Sequence, residues 1–526
     1  MRELIGPMPH SLQTTQIPAT LRLVVLVSLA AAAALNAEDW LQFRGPSGDG
    51  TSGERIQKNW QAQPPRQVWK KTLGSGFSSF AVSQGRAFTM VKRTIAGVNR
   101  EVCVALNAET GAELWATALG PAQYDIGADD GTSSNRGGDG PRSTPTVRGD
   151  RVYTSDAYLV MQCLNATNGQ VLWTKDLPAL YSGSVIAWQN AASPVIDGDY
   201  IFVNGNAPTQ RLMALRAADG SLAWRVQDDK MTQATPVAAT ILGVRQIVFF
   251  TQKGLVSVAP TNGAVLWRYT FPYTTSTGAS PVVAGDIVYC SAGYGIGAGA
   301  VRITKSASTW KATEIWRTPG ELINQWSTPV HHNGFVYGLY GHGQYGTAPL
   351  KCVRLATGEE MWSEDGFGPG GVLLVDGVLL VLKDTGQLVL VQPDPTAYTE
   401  LGRYQALSGK CWNVPAISNG RIYARSTKEI VSLDVSVQPP PPLRLSLARG
   451  DAGGPWQLHV ACSDGSAVDA SRAAALEVRT ATSLATPLAS WTIVAGALEL
   501  IDGTLRLAQP VEAGTRARYF IVLDKR

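Results

Sequence analysis

A short phrase that recurs five times constrains the fold of this chain more than any other feature of its sequence. In every copy a tryptophan lies four residues after a glycine, and a small residue lies six residues before that glycine. The copies are Ala105–Trp115, Cys163–Trp173, Ala214–Trp224, Ser257–Trp267 and Cys352–Trp362. A repeat of about 40–60 residues that fixes a turn glycine and an aromatic residue is typical of propellers and solenoids.

Each copy of the phrase predicts a β-hairpin. An apolar strand ends in a turn such as Asn107-Ala-Glu-Thr-Gly111, in which asparagine tolerates a tight bend and glycine supplies positive φ. The next strand carries the tryptophan, whose ring buries about 150–250 Å², worth at most roughly 4–6 kcal/mol at ~25 cal/mol per Å². We therefore predict that one tryptophan per repeat docks each blade onto its neighbour. The predicted docking residues are Trp69, Trp115, Trp173, Trp224, Trp267, Trp316 and Trp362.

A second phrase, two small residues followed by Pro-Val, marks the first strand of each repeat. With two degenerate copies there are eight such starts, near residues 80, 145, 194, 236, 281, 329, 372 and 415. The strands in the fourth position also number eight if the weak segment Arg403–Gln405 is included, but they are offset by one. The Trp69 strand precedes every start, and no tryptophan strand follows the last start. The chain is therefore predicted to be all-β, an eight-bladed propeller closed by pairing the N-terminal Trp69 strand with residues 414–435.

The N-terminus has the pattern of a secretory signal peptide. Arg22 precedes the apolar run Leu23–Leu35, and Leu35-Asn36-Ala37 forms a cleavage site before Glu38. The run is short for a membrane-spanning helix. No cysteine lies near the cleavage point, so a lipid anchor is not expected. We expect a periplasmic or secreted protein with no transmembrane span after cleavage.

Composition excludes several classes of protein. The 526 residues include 54 Gly and 15 Trp but only 16% charged residues, unlike a disordered chain or a helical bundle. The net charge of +4 comes from scattered basic residues, so no nucleic-acid partner is expected. Six cysteines in an exported chain would ordinarily favour disulfides. Cys163 and Cys352, however, occupy the small-residue position of the repeat, four blades apart, and are predicted to be buried free thiols.

After the proline run Pro439–Pro442 the repeat disappears and short alternating strands predict a small β-sandwich. The predicted domains are a signal peptide (1–37), the propeller (38–436), a proline linker (437–442) and the C-terminal sandwich (443–526).

The repeated phrase resembles the tryptophan-docking repeat of propellers related to pyrroloquinoline-quinone (PQQ) dehydrogenases, over about residues 38–436. Three further segments resemble secreted bacterial PQQ-like propellers of unassigned activity: Phe43–Pro46, Gly140–Pro145 and Leu407–Trp412. The repeat is specific for the fold and weak for function, because its residues hold blades together.

For a quinoprotein dehydrogenase the resemblance implies a flat cofactor at the channel mouth, Ca²⁺ on Glu and Asn oxygens, an Asp base and often a disulfide between adjacent cysteines. This chain has no Cys-Cys pair and no Cys-x-x-Cys-His motif for c-type haem. The favoured interpretation is a non-catalytic binding or scaffolding protein of the cell envelope, with no cofactor expected. The alternative is a PQQ-dependent alcohol dehydrogenase, which would use PQQ with calcium. A third interpretation is a role resembling that of the propeller in outer-membrane assembly machinery.

Propeller geometry places a site where the chain enters the first strands, beside the loops that join second and third strands. Cationic and aromatic residues on these loops could hold an anionic or planar ligand, or could be rim charges and packing. The candidate ligand-binding residues are Arg142, Gln325, Trp326, His342, Lys383, Asp384 and Trp412. The expected partner is an envelope protein or a small ligand at this face.

Two other features carry metal-ligating residue types. The insertion predicted at 116–142 contains Asp125, Asp130 and Asp139, but their spacing matches no calcium loop, so a solvated loop is favoured. His331-His332 is predicted to lie in a surface turn. No metal site and no catalytic residue are predicted.

Overall fold

The computed structural model describes residues 38–124, 140–341, 346–437, 441–449, 456–483, 485–494, 498–507 and 519–524. The predicted signal peptide, the acidic residues Asp125, Asp130 and Asp139, and the candidate His342 lie outside the described residues. The chain divides into two compact units after Val437. No helix in the described ranges is both long and apolar enough to cross a membrane.

The described part of the larger unit contains eight antiparallel sheets of four strands, one of them with a fifth strand. Two strands precede the first complete sheet, β1 (Thr51–Ser52) and β2 (Arg66–Thr72). Sheet 1 is β3 (Ala81–Ser83), β4 (Arg86–Ile95), β5 (Val98–Asn107) and β6 (Glu113–Pro121); sheet 2 is β7 (Thr146–Arg148), β8 (Arg151–Ser155), β9 (Val160–Asn165) and β10 (Val171–Asp176), followed by helix α1 (Leu177–Tyr181). Sheet 3 is β11 (Val195–Asp197), β12 (Tyr200–Asn204), β13 (Leu212–Arg216) and β14 (Leu222–Val226); sheet 4 is β15 (Val237–Ile241), β16 (Val244–Thr251), β17 (Gly254–Val258) and β18 (Val265–Thr270).

The remaining four sheets follow in chain order. Sheet 5 is β19 (Val282–Ala284), β20 (Ile287–Ala292), β21 (Gly297–Ser306) and β22 (Thr309–Pro319); sheet 6 is β23 (Val330–His332), β24 (Phe335–Leu339), β25 (Leu350–Arg354) and β26 (Glu360–Glu364). Sheet 7 is β27 (Gly371–Val375), β28 (Val378–Leu382), β29 (Gln387–Gln392) and β30 (Thr399–Gln405), with β1 added in parallel beside β27. Sheet 8 is β31 (Ala416–Ser418), β32 (Arg421–Arg425) and β33 (Glu429–Asp434), completed by β2.

Sheet 8 joins the two ends of the larger unit. Strand β2 pairs antiparallel with β33, and Trp69 lies directly opposite Ser432. The first strand of sheet 1 lies beside the first strand of sheet 8, and the Ser79 hydroxyl donates a 2.5 Å hydrogen bond to the carbonyl of Val414. The early tryptophan strand thus pairs with the last strands before the prolines, as the offset in the sequence pattern predicts.

The repeated phrase forms the hairpin between the third and fourth strands. In sheet 1 the Asn107 side chain accepts hydrogen bonds from the backbone N–H groups of Glu109 and Thr110, and Gly111 has φ of 64°. The small residue lies directly across the ladder from the tryptophan, as Ala105 does from Trp115. The turn is therefore satisfied locally, which is why a short sequence pattern suffices to identify it.

Most of the repeat tryptophans contact the neighbouring sheet. The ring of Trp115 covers Gly169 in the next hairpin, where a Cβ atom would lie 2.6 Å from the ring. Its indole N–H donates a 3.0 Å hydrogen bond to the carbonyl of Ala166. The same arrangement of ring over glycine is found for Trp69 on Gly111, Trp173 on Gly220, Trp224 on Gly263 and Trp316 on Gly358. Trp267 instead donates to the Gln246 side chain.

Sheet 7 departs from this pattern. The tryptophan position of β30 is taken by Gly402, which lies opposite Leu390. Trp60, from the segment before β2, fills the space: a Cβ atom on Gly402 would lie 2.8 Å from the Cβ atom of Trp60. Trp60 is buried, with 3% of its surface exposed. An aromatic ring from a distant part of the chain therefore replaces the missing repeat tryptophan.

Residues 38–57, here called the N-terminal segment, cross the inner strands. Sequence analysis shows little periodicity in this Gly/Pro-rich stretch, yet it contacts most of the sheets. Its partners include Val82 for Trp40, Val147 for Leu41, Thr328 and Pro329 for Arg44, Leu374 for Thr51 and Ser436 for Ile56.

The insertion predicted at residues 116–142 begins later than expected, because β6 continues as strand to Pro121.

The C-terminal unit is all-β apart from short helical turns. Its strands are β34 (Leu443–Arg449), β35 (Trp456–Cys462), β36 (Leu476–Ala481), β37 (Thr492–Ile493), β38 (Leu498–Ile501), β39 (Thr504–Leu507) and β40 (Tyr519–Asp524), with helix α2 (Ala470–Ala475) and a 3-10 turn (Leu488–Ser490). Two sheets, ordered β34-β35-β39-β38 and β37-β36-β40, share one cluster of buried residues that includes Leu445, Val460, Val478 and Val522.

The cysteines are buried free thiols. All six belong to the described residues, and none of them forms a disulfide. Cys163 lies opposite Trp173 and Cys352 lies opposite Trp362. They occupy the position that alanine or serine fills in other sheets, as predicted.

Candidate functional site

A cavity of about 180 Å³ lies where the chain enters the first strands of the eight sheets. The segment immediately before each first strand contributes at least one lining residue, and we call these eight stretches the pre-strand segments. The lining residues include Phe77, Arg142, Trp188, Gln233, Ser276, Gln325, Trp326, Gly370, Trp412 and Asn413. Phe43 and Arg44 of the N-terminal segment also line the cavity. All eight repeats and the N-terminal segment therefore meet at this one place.

Aromatic side chains form much of the wall. The rings of Trp326 and Trp412 lie 4.8 Å apart between centroids, and Phe77 stacks on Trp412 at 5.8 Å. Trp188 stacks on Tyr294 at 6.2 Å. The cavity thus presents an extended apolar surface of the kind that binds the flat or apolar face of a ligand.

Several polar atoms in the wall are buried without a partner among the described residues. They are Gln325 Oε1, Ser327 Oγ, Trp412 Nε1 and Asn413 Oδ1. The exposed fractions of these side chains are 8%, 6%, 9% and 8%. An unpaired buried polar group lowers the stability of the fold by about 1–3 kcal/mol. Four such groups around one cavity therefore indicate that this region has a role other than stabilising the fold.

The orientation of the Asn413 amide is fixed by its neighbour. Its Nδ2 donates a 3.2 Å hydrogen bond to the backbone carbonyl of Arg425. The opposite amide orientation would place two acceptors against each other. The unpartnered atom of Asn413 is therefore an acceptor.

The structure brings four of the seven predicted ligand-binding residues to this cavity: Arg142, Gln325, Trp326 and Trp412. The Arg142 guanidinium donates a 2.8 Å hydrogen bond to the carbonyl of Trp188 and lies 4.9 Å from the ring centroid of Tyr124. The sequence leaves open an anion-binding cation or a solvated rim charge at Arg142; in the structure its guanidinium is engaged with neighbours in the wall.

Lys383 and Asp384 are not among the lining residues. Asp384 is buried and accepts a 2.6 Å hydrogen bond from the backbone N–H of Gly346, and burial raises the pKa of its carboxyl. The Lys383 ammonium lies 5.4 Å from the centroid of the Phe367 ring. Both residues follow β28, so this loop between second and third strands packs against its own surroundings and does not reach the cavity wall.

Sequence reasoning missed the contribution of Phe43 and Arg44. Arg44 is buried and donates to the carbonyls of Thr328 (2.7 Å) and Pro329 (2.8 Å). Burial lowers the pKa of Arg44 to about 10, and it stays charged near neutral pH. Its partners lie 284 and 285 positions away, so no local pattern could have identified the contact.

A pair of buried carboxyls lies between sheets 1 and 2, beside Tyr124 and Arg142. Glu101 accepts a 2.7 Å hydrogen bond from the Tyr124 hydroxyl and one from the N–H of Ala157. Burial, reinforced by the charge of Asp156, raises the pKa of Glu101 to about 8. Burial also raises the pKa of Asp156 to about 6.

The described lining of the cavity lacks the carboxylates that would hold calcium beside PQQ. Calcium requires several oxygen ligands, mostly carboxylates and carbonyls, and among its described lining residues the cavity offers Asn413 but no Asp or Glu. The described residues contain no cluster of three or more His, Cys, Asp or Glu that could hold a metal ion.

The histidine pair His331-His332 lies at the β23–β24 turn, as the sequence predicts. There His331 accepts a hydrogen bond from the backbone N–H of Gly334.

A known family model matches the repeats of this chain. The family model described as "Outer membrane protein assembly factor BamB", a family of PQQ repeats, matches residues 98–363, about half of the chain. The chain belongs to this PQQ-repeat family. The match covers the last two strands of sheet 1, all of sheets 2–5 and nearly all of sheet 6. It therefore includes most of the tryptophan hairpins described above.

Two relatives of the family align with this chain. The outer membrane protein assembly factor BamB of Moranella endobia (strain PCIT) is 27% identical over 283 residues, which cover 49% of this chain and 66% of the relative. BamB of Yersinia pestis is 22% identical over 328 residues, covering 62% of this chain and 67% of the relative. The chain thus spans about two thirds of the length of these relatives.

Among solved structures, the quinohemoprotein alcohol dehydrogenase of Comamonas testosteroni resembles this chain with a TM-score of 0.54 and 13% identity. The likeness covers 80% of this chain and 84% of the dehydrogenase. At this identity it shows the fold alone, a β-propeller.

Proposed function

We propose that this chain is an exported PQQ-like β-propeller that acts as a non-catalytic binding or scaffolding protein of the cell envelope, periplasmic or secreted. In this proposal the eight sheets are the blades of one closed eight-bladed propeller (38–436). A signal peptide (1–37) precedes it, and a proline linker (437–442) joins it to a C-terminal β-sandwich (443–526). The ligand or partner engages the end of the propeller that carries the pre-strand segments.

The chemistry of the cavity wall carries the proposal. Its described lining residues are aromatic groups, neutral amides and hydroxyls, together with Arg44 and Arg142, whose guanidinium groups donate to backbone carbonyls. This set can hold a ligand by stacking and hydrogen bonding. It offers no carboxylate to act as a general base beside the ligand, which the alternative of a quinoprotein dehydrogenase requires.

Titration of the purified protein with PQQ and Ca²⁺, followed by an assay of alcohol-dependent reduction of an artificial electron acceptor, tests the proposal. We expect no dye reduction above the protein-free control. Saturable PQQ binding together with alcohol-dependent dye reduction would replace the proposal with the dehydrogenase alternative.

The family match favours one specific form of this function, participation in outer-membrane protein assembly, because both aligned relatives are named as assembly factors. In that case the partner is an envelope protein. Affinity purification of the tagged chain from its own envelope tests this form. Enrichment of a barrel-assembly complex would support it, and its absence from the eluate would leave the broader binding role without this partner.

A further inference from the structure

The cavity wall specifies which kind of ligand it can satisfy. Aromatic walls alone fit any molecule with an apolar face, so Trp326 and Trp412 do not discriminate among quinones, bases and sugars. The unpartnered polar atoms between the rings do discriminate, because each of them needs a complementary hydrogen-bonding group.

The four polar atoms require both donors and acceptors from the ligand. The acceptor Asn413 Oδ1 needs a donor, and the Trp412 indole N–H needs an acceptor. The Gln325 amide hydrogen-bonds Tyr294, and its Oε1, as placed, also needs a donor. A hydroxyl group supplies both functions, and several hydroxyls on one ring would satisfy the set. A tricarboxylated quinone presents mainly acceptor oxygens and would leave the two amide oxygens buried and unpaired, which is costly.

The size of the cavity and the charges in its wall further restrict the class of ligand. The cavity volume of about 180 Å³ is smaller than the ~300–1,000 Å³ typical of sites for drug-sized ligands, which favours a ligand that inserts a single ring. No carboxylate is present among the described lining residues. The two lining guanidinium groups already donate to carbonyl oxygens of Thr328, Pro329 and Trp188. Because these donors are already engaged, a neutral ligand can bind without forming an ion pair with either guanidinium group.

We propose that the cavity binds the polyhydroxylated ring of a neutral saccharide. The apolar face of the sugar ring lies against the aromatic wall at Trp326, beside Trp412, whose ring already packs against Phe77 and the Lys410 ammonium. Its hydroxyls bond the polar atoms of Gln325, Ser327 and Asn413. The inference deepens the proposed function and rests on it, since it treats the cavity as a binding site and not as a dehydrogenase centre.

The direct test is saturation-transfer NMR and calorimetric titration of the full chain with D-glucose, D-galactose and N-acetyl-D-glucosamine. We expect at least one of these pyranoses to bind saturably, with a change in tryptophan fluorescence. Gln325→Leu should weaken that binding about tenfold, because it removes one buried hydrogen bond. Gln67→Leu, an exposed site on β2, should leave the affinity within about twofold.

Trp326→Phe provides a second variant that keeps an aromatic ring, and it should weaken binding less than Trp326→Ala does. Absence of binding by all three sugars up to their solubility would overturn the proposal. Binding that Gln325→Leu and Trp326→Ala leave unchanged would also overturn it, because the sugar would then bind elsewhere. Binding of PQQ in the cavity, in place of the sugars, would indicate an anionic planar ligand and contradict it. The sugar titration is independent of the dye-reduction assay, so failure of this inference and failure of the proposed function are distinguishable.

Discussion

Trp224, which lies between two sheets, and Trp412, which lines the cavity, place the same side chain in opposite situations. Trp224 lies on Gly263 of the next sheet, and its indole N–H donates a 2.9 Å hydrogen bond to the carbonyl of Pro260. Trp412 is equally buried in the cavity wall, yet its indole N–H has no partner among the described residues. The comparison separates a tryptophan whose polar group is satisfied by the neighbouring sheet from one whose polar group is unpaired among the described residues.

The same contrast holds for amide side chains. Gln246 in sheet 4 accepts hydrogen bonds from both Ser257 and Trp267. Gln325 in the cavity is comparably buried, but its Oε1 is unpaired in the described structure. Substitutions between sheets should therefore lower stability, whereas substitutions of the unpaired groups should lower binding.

The largest expected effect is that of Trp224→Ala. Removal of this inter-sheet ring should lower the free energy of unfolding by roughly 3–5 kcal/mol, as truncation of core tryptophan does. Trp310→Ala, which removes a partly buried ring beside Lys305, serves as control and should cost less, about 1 kcal/mol. Equal losses in urea unfolding would show that Trp224 has no special role between sheets.

Gly169→Ala tests the glycine beneath the ring. A Cβ atom there would meet the Trp115 ring at 2.6 Å at a φ of +73°, whereas Gly149 in the same sheet has φ of +61° and open space around it. We expect a loss of about 2–3 kcal/mol for Gly169→Ala and about 1 kcal/mol for Gly149→Ala. Thermal unfolding of the two variants measures the difference, and identical losses would mean that only φ matters.

The buried carboxyls Glu101 and Asp156 allow the effect of burial on stability to be tested for ionisable groups as well. Because the pKa of buried Glu101 is raised from 4.5 to about 8, the folded protein retains a proton that the unfolded chain releases. The free energy of unfolding should therefore fall as the pH rises from about 4.5 to about 8. Glu101→Gln, which is neutral throughout, should reduce this fall by about 1–2 kcal/mol.

Urea unfolding at pH 5 and pH 8 measures this effect, with Glu359→Gln, an exposed carboxyl, as the control that leaves the pH dependence unchanged. A pH dependence that is the same in Glu101→Gln and in the unsubstituted protein would show that Glu101 is ionised in the folded state at pH 5.

The smallest change in the free energy of unfolding, and the only increase, is expected for Gln325→Leu. The substitution removes an unpaired buried oxygen, so the free energy of unfolding should stay the same or rise by about 0.5–1 kcal/mol. Gln233 lines the same cavity but donates to Ala187 and accepts from Ser276, and Gln233→Leu should cost about 1–2 kcal/mol. A loss for Gln325→Leu as large as that for Gln233→Leu would mean that its oxygen is satisfied.

The sequence predicts the sheets well because the hairpin is a local structure. The spacing of Gly169 and Trp173, for example, fixes a turn and the following strand within a few residues. It does not predict that Trp60 replaces the missing tryptophan at Gly402, since the two residues are far apart in the chain and share no motif.

The candidate site, like the fold, can be predicted from the sequence only in part. Arg142, Gln325, Trp326 and Trp412 lie in pre-strand segments, and the repeat alone places all of these segments at one end of the propeller. The unpaired state of Gln325 and Asn413 depends on packing among several sheets, which a linear pattern does not contain. The part played by Arg44 depends on a segment that lacks the repeat altogether.

The most direct test of the division between inter-sheet contacts and cavity is to measure unfolding and pyranose binding together on Trp224→Ala and Gln325→Leu. The structure predicts that Trp224→Ala loses roughly 3–5 kcal/mol of stability and, under conditions where it is folded, keeps its affinity for the sugar. Gln325→Leu should keep its stability and lose about tenfold in affinity. If both variants lose stability and affinity together, the two regions are not separate, and the cavity is part of the packing of the propeller.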